Sequence, residues 1–220
     1  MSSHHIVRDD QEPALIIANG AACSQELLGQ LLEWSPFVVV LDSAIERVLE
    51  LEIKVDVLLG DFDSGFDANY YKEIQYPLEI IHTPNQDKTD LEKAFEFLIE
   101  RNFSAVNVVW ATGKRADHTI TNITSIAKFR NQLKIVLFDD HSKIHLLPQK
   151  FQKWYPKNTV ISLIPIGEVH GIHSENLFYP LKNDSLTIGY RTGSSNHVAE
   201  DGLITIEHSE GDLLLMECWD

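Results

Sequence analysis

The stretch Val55-Asp56-Val57-Leu58-Leu59-Gly60-Asp61-Phe62-Asp63-Ser64-Gly65 decides how the rest of the chain is read. An apolar run with the character of a buried strand stops at a glycine and at once presents two carboxylates. Side chains two apart on extended backbone point to the same side, so Asp61 and Asp63 are expected to face one spot just beyond the strand end. In an open parallel sheet that is where ligands bind. Two carboxylates aimed at one point repel each other unless a cation sits between them, and Mg²⁺, which takes oxygen ligands, suits that position. A solvated acidic turn would explain a lone D-x-D as well, so the flanking chain has to separate the two readings.

On the N-terminal side, Ala14 to Ala18 reads as a short buried strand ending at Asn19-Gly20. Gln25 to Trp34 has helical apolar spacing at Leu27, Leu28, Leu31 and Leu32. Phe37 to Leu41 is a second strand, ending at Asp42-Ser43, and a helix with Ile45, Val48 and Leu49 on one side follows. On the C-terminal side, Leu78 to His82, Ala105 to Trp110 and Leu133 to Phe138 supply the fourth, fifth and sixth strands. Strands alternating with helices predict an α/β domain over residues 10–140, built on a doubly wound, mostly parallel sheet.

Past Asp140 the rhythm changes. Short β-like runs at Ser142 to Leu147, Thr159 to Ile164, Leu186 to Ile188, Leu203 to His208 and Asp212 to Glu217 are separated by prolines and glycines such as Pro148, Pro156 and Gly167. These predict a small all-β sandwich domain over residues 141–220.

Composition narrows the function. The chain has 220 residues, 44% of them hydrophobic and 23% charged, which is enough to bury a sizeable core. A net charge of −15 without a long Lys/Arg run opposes binding to a nucleic-acid backbone. No apolar run reaches membrane-spanning length, and the first ten residues lack the apolar core of a signal peptide. The two cysteines, Cys23 and Cys218, have no metal-ligand spacing. A cytoplasmic protein with no membrane or nucleic-acid partner is expected.

Four successive strand ends carry chemistry. Asp42-Ser43 follows the second, Asp61 and Asp63 the third, Thr83 to Asp90 the fourth, and Ala111-Thr112-Gly113-Lys114-Arg115-Ala116-Asp117-His118 the fifth. In a doubly wound sheet all four converge on one edge. Leu91, Ala94, Phe95, Leu98 and Ile99 define a helix with one buried face, and Thr89-x-x-Glu92 is a capping-box pattern at its start. Its first N–H groups, with Lys88 alongside, suit an anion such as phosphate. Asp90 lies in the first turn, where it can meet Asp61 and Asp63 or simply satisfy the helix dipole. Arg115 presents a planar fork suited to phosphate oxygens. Neither the Walker A spacing nor G-x-G-x-x-G occurs, which argues against a P-loop and against NAD.

Taken in order, Gly60-Asp61-Phe62-Asp63-Ser64, Asn85-Gln86-Asp87-Lys88-Thr89-Asp90-Leu91-Glu92-Lys93-Ala94 and Thr112-Gly113-Lys114-Arg115-Ala116-Asp117-His118-Thr119 resemble the thiamine pyrophosphokinase family. Gly193-Ser194-Ser195-Asn196 and Gly211-Asp212-Leu213-Leu214 resemble its closing motifs. The resemblance implies transfer of pyrophosphate from ATP to the hydroxyl of thiamine, leaving AMP. It also implies dependence on Mg²⁺ and a homodimer whose active site lies between the α/β domain of one subunit and the β domain of the other. It gives Asp61, Asp63 and Asp90 to the metal, and Asp42, Ser43, Gln86, Lys88, Thr89, Thr112, Gly113 and Arg115 to ATP. Asp117 is implied near the transferring group, and Gln86, Ser195 and Asn196 near thiamine.

Two departures stand out. The family commonly follows the second strand with an acid and paired glycines, whereas Asp42 is followed here by Ser43-Ala44. The usual second glycine before the arginine is Lys114. The competing readings are a haloacid-dehalogenase-type phosphatase, which also places D-x-D after an apolar strand, and a non-catalytic thiamine or nucleotide sensor on the same fold.

Overall fold

The computed structural model describes residues 12–62 and 66–219. Six strands form the first half: β1 (Ala14–Ile17), β2 (Val38–Leu41), β3 (Val57–Gly60), β4 (Glu79–His82), β5 (Ala105–Val109) and β6 (Lys134–Phe138). They lie in the order β4-β3-β2-β1-β5-β6, and every neighbouring pair is parallel. The α/β, doubly wound fold expected from the sequence is therefore present.

Helices α1 (Gln25–Leu32), α2 (Ile45–Leu49), α3 (Ala68–Ile74), α4 (Asp90–Glu100) and α5 (Ala116–Ser125) connect the strands. Alternate strand residues feed two cores. Ile16, Val39 and Leu59 pack with Leu91, Phe95 and Leu98 of α4. Leu15, Val40 and Leu58 pack on the other face with Leu28 of α1 and Ile45 and Val48 of α2. Burial on both faces explains why these strands read as unbroken apolar runs. Phe95 and Leu98 are completely buried, worth roughly 1.5–3 kcal/mol each.

The second half contains β7 (Ser142–Leu146), β8 (Lys150–Tyr155), β9 (Val160–Glu175), β10 (Lys182–Thr187), β11 (Gly193–His197), β12 (Gly202–Glu207) and β13 (Glu210–Cys218). Gly167, which the sequence reading took as a break, is instead a bend within the 16-residue β9, at φ +77°. Before the bend β9 pairs with β13 and β11; after it, with β10 and β12, while β13 still reaches it at His170. One strand thus contributes to both layers of the sandwich. β7 runs antiparallel to β6, and β13 lies between β7 and β9, so the sheet of the first half continues into the second. Leu214 of β13 packs in the α/β core, while Leu213 and Leu215 pack in the sandwich core.

A carboxylate ties the two layers of the sandwich. Glu217 on β13 accepts from Lys153 Nζ at 2.9 Å and from the buried Tyr155 hydroxyl at 2.9 Å, both on β8. Burial raises the Glu217 pKa, but Lys153, Lys143 and Tyr155 outweigh it and hold the group below its ordinary value.

At the other end of the chain, Gly20 closes β1 by donating its N–H to the carbonyl of Trp110. A Cβ on Gly20 would fall 2.4 Å from the carbonyl oxygens of both Thr112 and Trp110. Arg47 clamps this turn from above, donating to Gly20 O at 2.9 Å while its guanidinium lies 4.2 Å from the Trp110 ring centroid.

Two expectations follow from these contacts. Gly20→Ala must push backbone apart and is expected to cost about 1–3 kcal/mol in urea unfolding. Glu217→Gln is expected to lose about 2 kcal/mol near neutral pH, since it strips the charge partner from Lys153. A carboxylate with a depressed folded-state pKa stabilises above its ordinary value of 4.5 and ceases to as pH falls below it. The gap between wild type and Glu217→Gln should therefore narrow as unfolding is measured at successively lower pH.

Candidate active site

The chain leaves β1 outward through β2 and β3 to β4, then returns to β5 on the other side of β1. That reversal opens a crevice beyond the carboxyl ends of β1 and β5, the position where α/β sheets bind ligands. A cavity of about 470 Å³ occupies it. Ala18, Asn19 and Gly20 after β1, Asp42 after β2, Asp61 after β3 and Ala111 to Arg115 after β5 contribute to its wall.

The backbone along this edge is unusual. Asp42, Phe62, Trp110 and Lys114 all have positive φ, from +36° to +58°, where L-residues are strained. Gly60 is the companion of Asp42: a Cβ there would sit 2.9 Å from Asp42 Cβ, so only glycine allows the acid to close over the end of β3.

The start of α4 forms the opposite wall. Thr89 Oγ1 accepts from Glu92 N–H at 3.2 Å, and Glu92 Oε2 accepts from Thr89 N–H at 3.0 Å, completing the expected capping box. The cap aims Asp90 into the cavity wall, where its Oδ1 accepts from Lys93 Nζ at 3.0 Å. Lys93 also donates to Thr83 O at 2.9 Å and is buried, so Asp90 is held from one side by a fixed charge. Asp61 is held differently. Gln86 Nε2 donates to its Oδ2 at 2.9 Å, and the His82 ring lies 3.1 Å from its carbonyl oxygen.

Eight of the residues singled out in the sequence line this one cavity: Asp42, Asp61, Gln86, Lys88, Thr89, Asp90, Gly113 and Arg115. Asp117 stands beside it in the first turn of α5, bound to Arg115 at 2.5 Å. Hydrogen bonding to Arg115 holds the Asp117 carboxyl down at about 2. Thr112 turns away, donating from Oγ1 to Asp139 at 2.9 Å. Asp63 and the side chain of Ser43 lie outside the described residues.

Ser195 and Asn196 are elsewhere in the chain. They border a second cavity of about 460 Å³ on the sandwich, together with His197 and Trp219. Asn196 is buried and its amide is spent internally: it accepts from Tyr179 N–H at 3.0 Å and donates to Tyr179 O at 2.8 Å. Ser195, at φ +55°, is exposed and points its N–H at Ser162 Oγ.

Sequence reasoning gave no role to Lys93 or Asn19. Lys93 was findable, because three residues beyond Asp90 on a helix is the same face. Asn19 was not, since its place depends on the β1–β5 crevice.

Among the described residues no group of three or more acidic, histidine or cysteine side chains is gathered closely enough to hold a metal ion. Asp61 and Asp90 are the two described members of the expected acidic trio, and both supply the oxygen donors that Mg²⁺ requires. A cavity of about 1020 Å³ lies at the opposite edge of the sheet, near the start of β6; among the described residues that line it, the ion pair is Arg130–Asp212 at 2.8 Å. Volume alone would choose that cavity; the convergence of acids and cations chooses the crevice.

Comparison with known proteins identifies the family. The sequence profile of the thiamin pyrophosphokinase catalytic domain matches residues 28–137, and that of the thiamin pyrophosphokinase vitamin B1 binding domain matches residues 144–213. The thiamine pyrophosphokinase of Bacillus subtilis is 29% identical over 167 residues, covering 73% of this chain and 77% of that one. The crystal structure of thiamin pyrophosphokinase from Geobacillus thermodenitrificans superposes with a TM-score of 0.78 at 25% identity, covering 95% of this chain and 98% of that one. The yeast enzyme superposes with a TM-score of 0.81 at 17% identity, covering 97% and 88%, which is a likeness of fold. With both domain profiles matched in the order in which the two halves are folded, this chain belongs to the thiamine pyrophosphokinase family.

Proposed function

We propose that this protein is a thiamine diphosphokinase that transfers the pyrophosphoryl group of ATP to the hydroxyethyl oxygen of thiamine, releasing AMP. The observation that carries the reading is the convergence of Asp42, Asp61 and Asp90 with Lys88, Lys93 and Arg115 on one crevice. Acids alone would repel a triphosphate, and cations alone would offer no seat for a metal. Together they suit a metal-bound polyphosphate.

The hydroxyl of thiamine attacks the β-phosphorus in line. A new O–P bond forms as the bridge to the α-phosphate breaks, AMP leaves with the electron pair, and the hydroxyl proton passes to solvent. Little covalent work falls to the protein in such transfers; positioning and charge dominate. Asp61, Asp90 and Asp63 would hold Mg²⁺, which when bound neutralises phosphate oxygens of the donor. Gln86 keeps the Asp61 carboxylate turned into the crevice, and Lys93 does the same for Asp90. Arg115 and Lys88 steady phosphate oxygens. Asp117, with its pKa down at about 2, is ionised throughout the physiological range. So weak a base orients the attacking hydroxyl by accepting a hydrogen bond rather than storing its proton.

The Ser195–Asn196 cavity fits the thiamine end of the reaction. Trp219, 42% exposed, lies on its border. In our reading a homodimer brings this cavity of one subunit to the crevice of another. No helix among the described residues is long and apolar enough to cross a membrane. A cytoplasmic location, in which Cys23 and Cys218 would be kept as thiols, belongs to the same reading.

The direct test is AMP release from MgATP in the presence of thiamine, followed by a coupled assay. Asp61→Asn, Asp63→Asn and Asp90→Asn are each expected to lower turnover by at least about 100-fold with the thermal midpoint retained; undiminished activity in Asp61→Asn would refute the metal assignment. The shared site has its own test. Asp61→Asn and Ser195→Arg, each inactive alone, should regain about a quarter of wild-type activity when refolded together, since half the dimers are mixed and each has one intact site. No recovery on mixing would place both halves of the site in one subunit.

A further inference from the structure

Lys114 has no role in the reading above, yet it lines the crevice and adopts a backbone conformation that a lysine does not favour, at φ +53°. A side chain in the left-handed region costs about 1–2 kcal/mol, which glycine would not pay in strain. Such strain concentrates where the side chain is needed.

The charge pattern of the cavity says what the need is. Lys88 is bound to Glu96 at 2.7 Å, Lys93 to Asp90 at 3.0 Å and Arg115 to Asp117 at 2.5 Å. Among the described residues, Lys114 forms no ion pair. Its ammonium instead donates across the crevice to neutral oxygens of the loop after β1, at 3.1 Å to Asn19 O and 3.5 Å to Asn19 Oδ1. The other three cations of the wall thus have a carboxylate beside them, and Lys114 does not. An ammonium resting on carbonyl oxygens is readily transferred to an anion, because charge-assisted bonds are about twice as strong as those to neutral groups.

Resting on the reading of the crevice as the nucleotide site, we propose that Lys114 is a polyphosphate contact. Its ammonium leaves Asn19 for phosphate oxygens of the incoming nucleoside triphosphate and strengthens the binding of that substrate, without contributing to thiamine binding. Lys114 thereby adds a fourth cation to the wall, from the loop after β5.

The side chain and the backbone make opposite demands here, which makes the idea easy to test. Lys114→Gly removes the charge and relieves the strain; Lys114→Arg keeps the charge. Binding is measured by titrating each protein with Mg²⁺ and α,β-methylene-ATP, whose bridge cannot be cleaved, and steady-state rates are measured by AMP release. Lys114→Gly is expected to bind the analogue about tenfold more weakly, a change of about 1.4 kcal/mol, with KM for MgATP raised to match. Its KM for thiamine should stay within about twofold and its thermal midpoint should hold or rise. Lys114→Arg should restore most of the analogue affinity. An analogue affinity unchanged in Lys114→Gly overturns the proposal. So does a lowered thermal midpoint with both substrates weakened together, which would make Lys114 a brace between two loops. Wild-type protein that releases no AMP would overturn the reaction assignment instead, and the analogue titration would still decide the role of Lys114.

Discussion

Like charges brought to one place repel, and this fold brings them there deliberately. Asp42, Asp61 and Asp90 come from three separate connections, and each is fixed by something that would not otherwise be required: a glycine beneath Asp42, an amide against Asp61, a buried ammonium against Asp90. Carboxylates that share one cavity wall oppose each other, the more so the closer they lie and the less water stands between them. The left-handed residues along the same edge add local strain. Stability is spent at the crevice, and the buried apolar layers on both faces of the sheet offset it.

The second half of the chain is joined to the first through backbone rather than through a linker. β7 and β13 extend the parallel sheet with antiparallel strands, and β13 gives side chains to both cores. A rigid connection of this kind fixes the direction in which the Ser195–Asn196 cavity faces relative to the crevice. In the proposed homodimer, where this cavity would meet the crevice of the partner, a rigid frame leaves little binding energy to be lost in ordering it.

How far the sequence revealed this depended on what each segment packs against. Strands β1 to β6 were legible because burial on both faces leaves unbroken apolar runs, as in Phe37 to Leu41. Helix α3 was not, for it buries none of its residues fully. Strand β11, Gly193-Ser194-Ser195-Asn196-His197, contains no aliphatic residue and is held by backbone pairing to β9, so no periodicity marks it. Strand β8 alternates in its exposure, but Lys150, Gln152 and Lys153 between two prolines read as a loop. In the crevice, the rule that ligands gather at strand ends found Asp42, Asp61 and Arg115 without coordinates. The internal use of the Asn196 amide depends on Tyr179, which lies 17 positions away in sequence on no recognisable motif.

The position of β13 has a bearing on how the chain acquires its structure. Of the thirteen described strands it comes last in chain order, yet it lies inside the sheet, with β7 on one side and β9 on the other. Until it arrives, both neighbours present raw edges whose unsatisfied N–H and C=O groups can recruit any extended peptide nearby. The parallel half can assemble as it emerges from the ribosome; the seam between the halves closes only once β13 has followed, as a zip drawn from the middle.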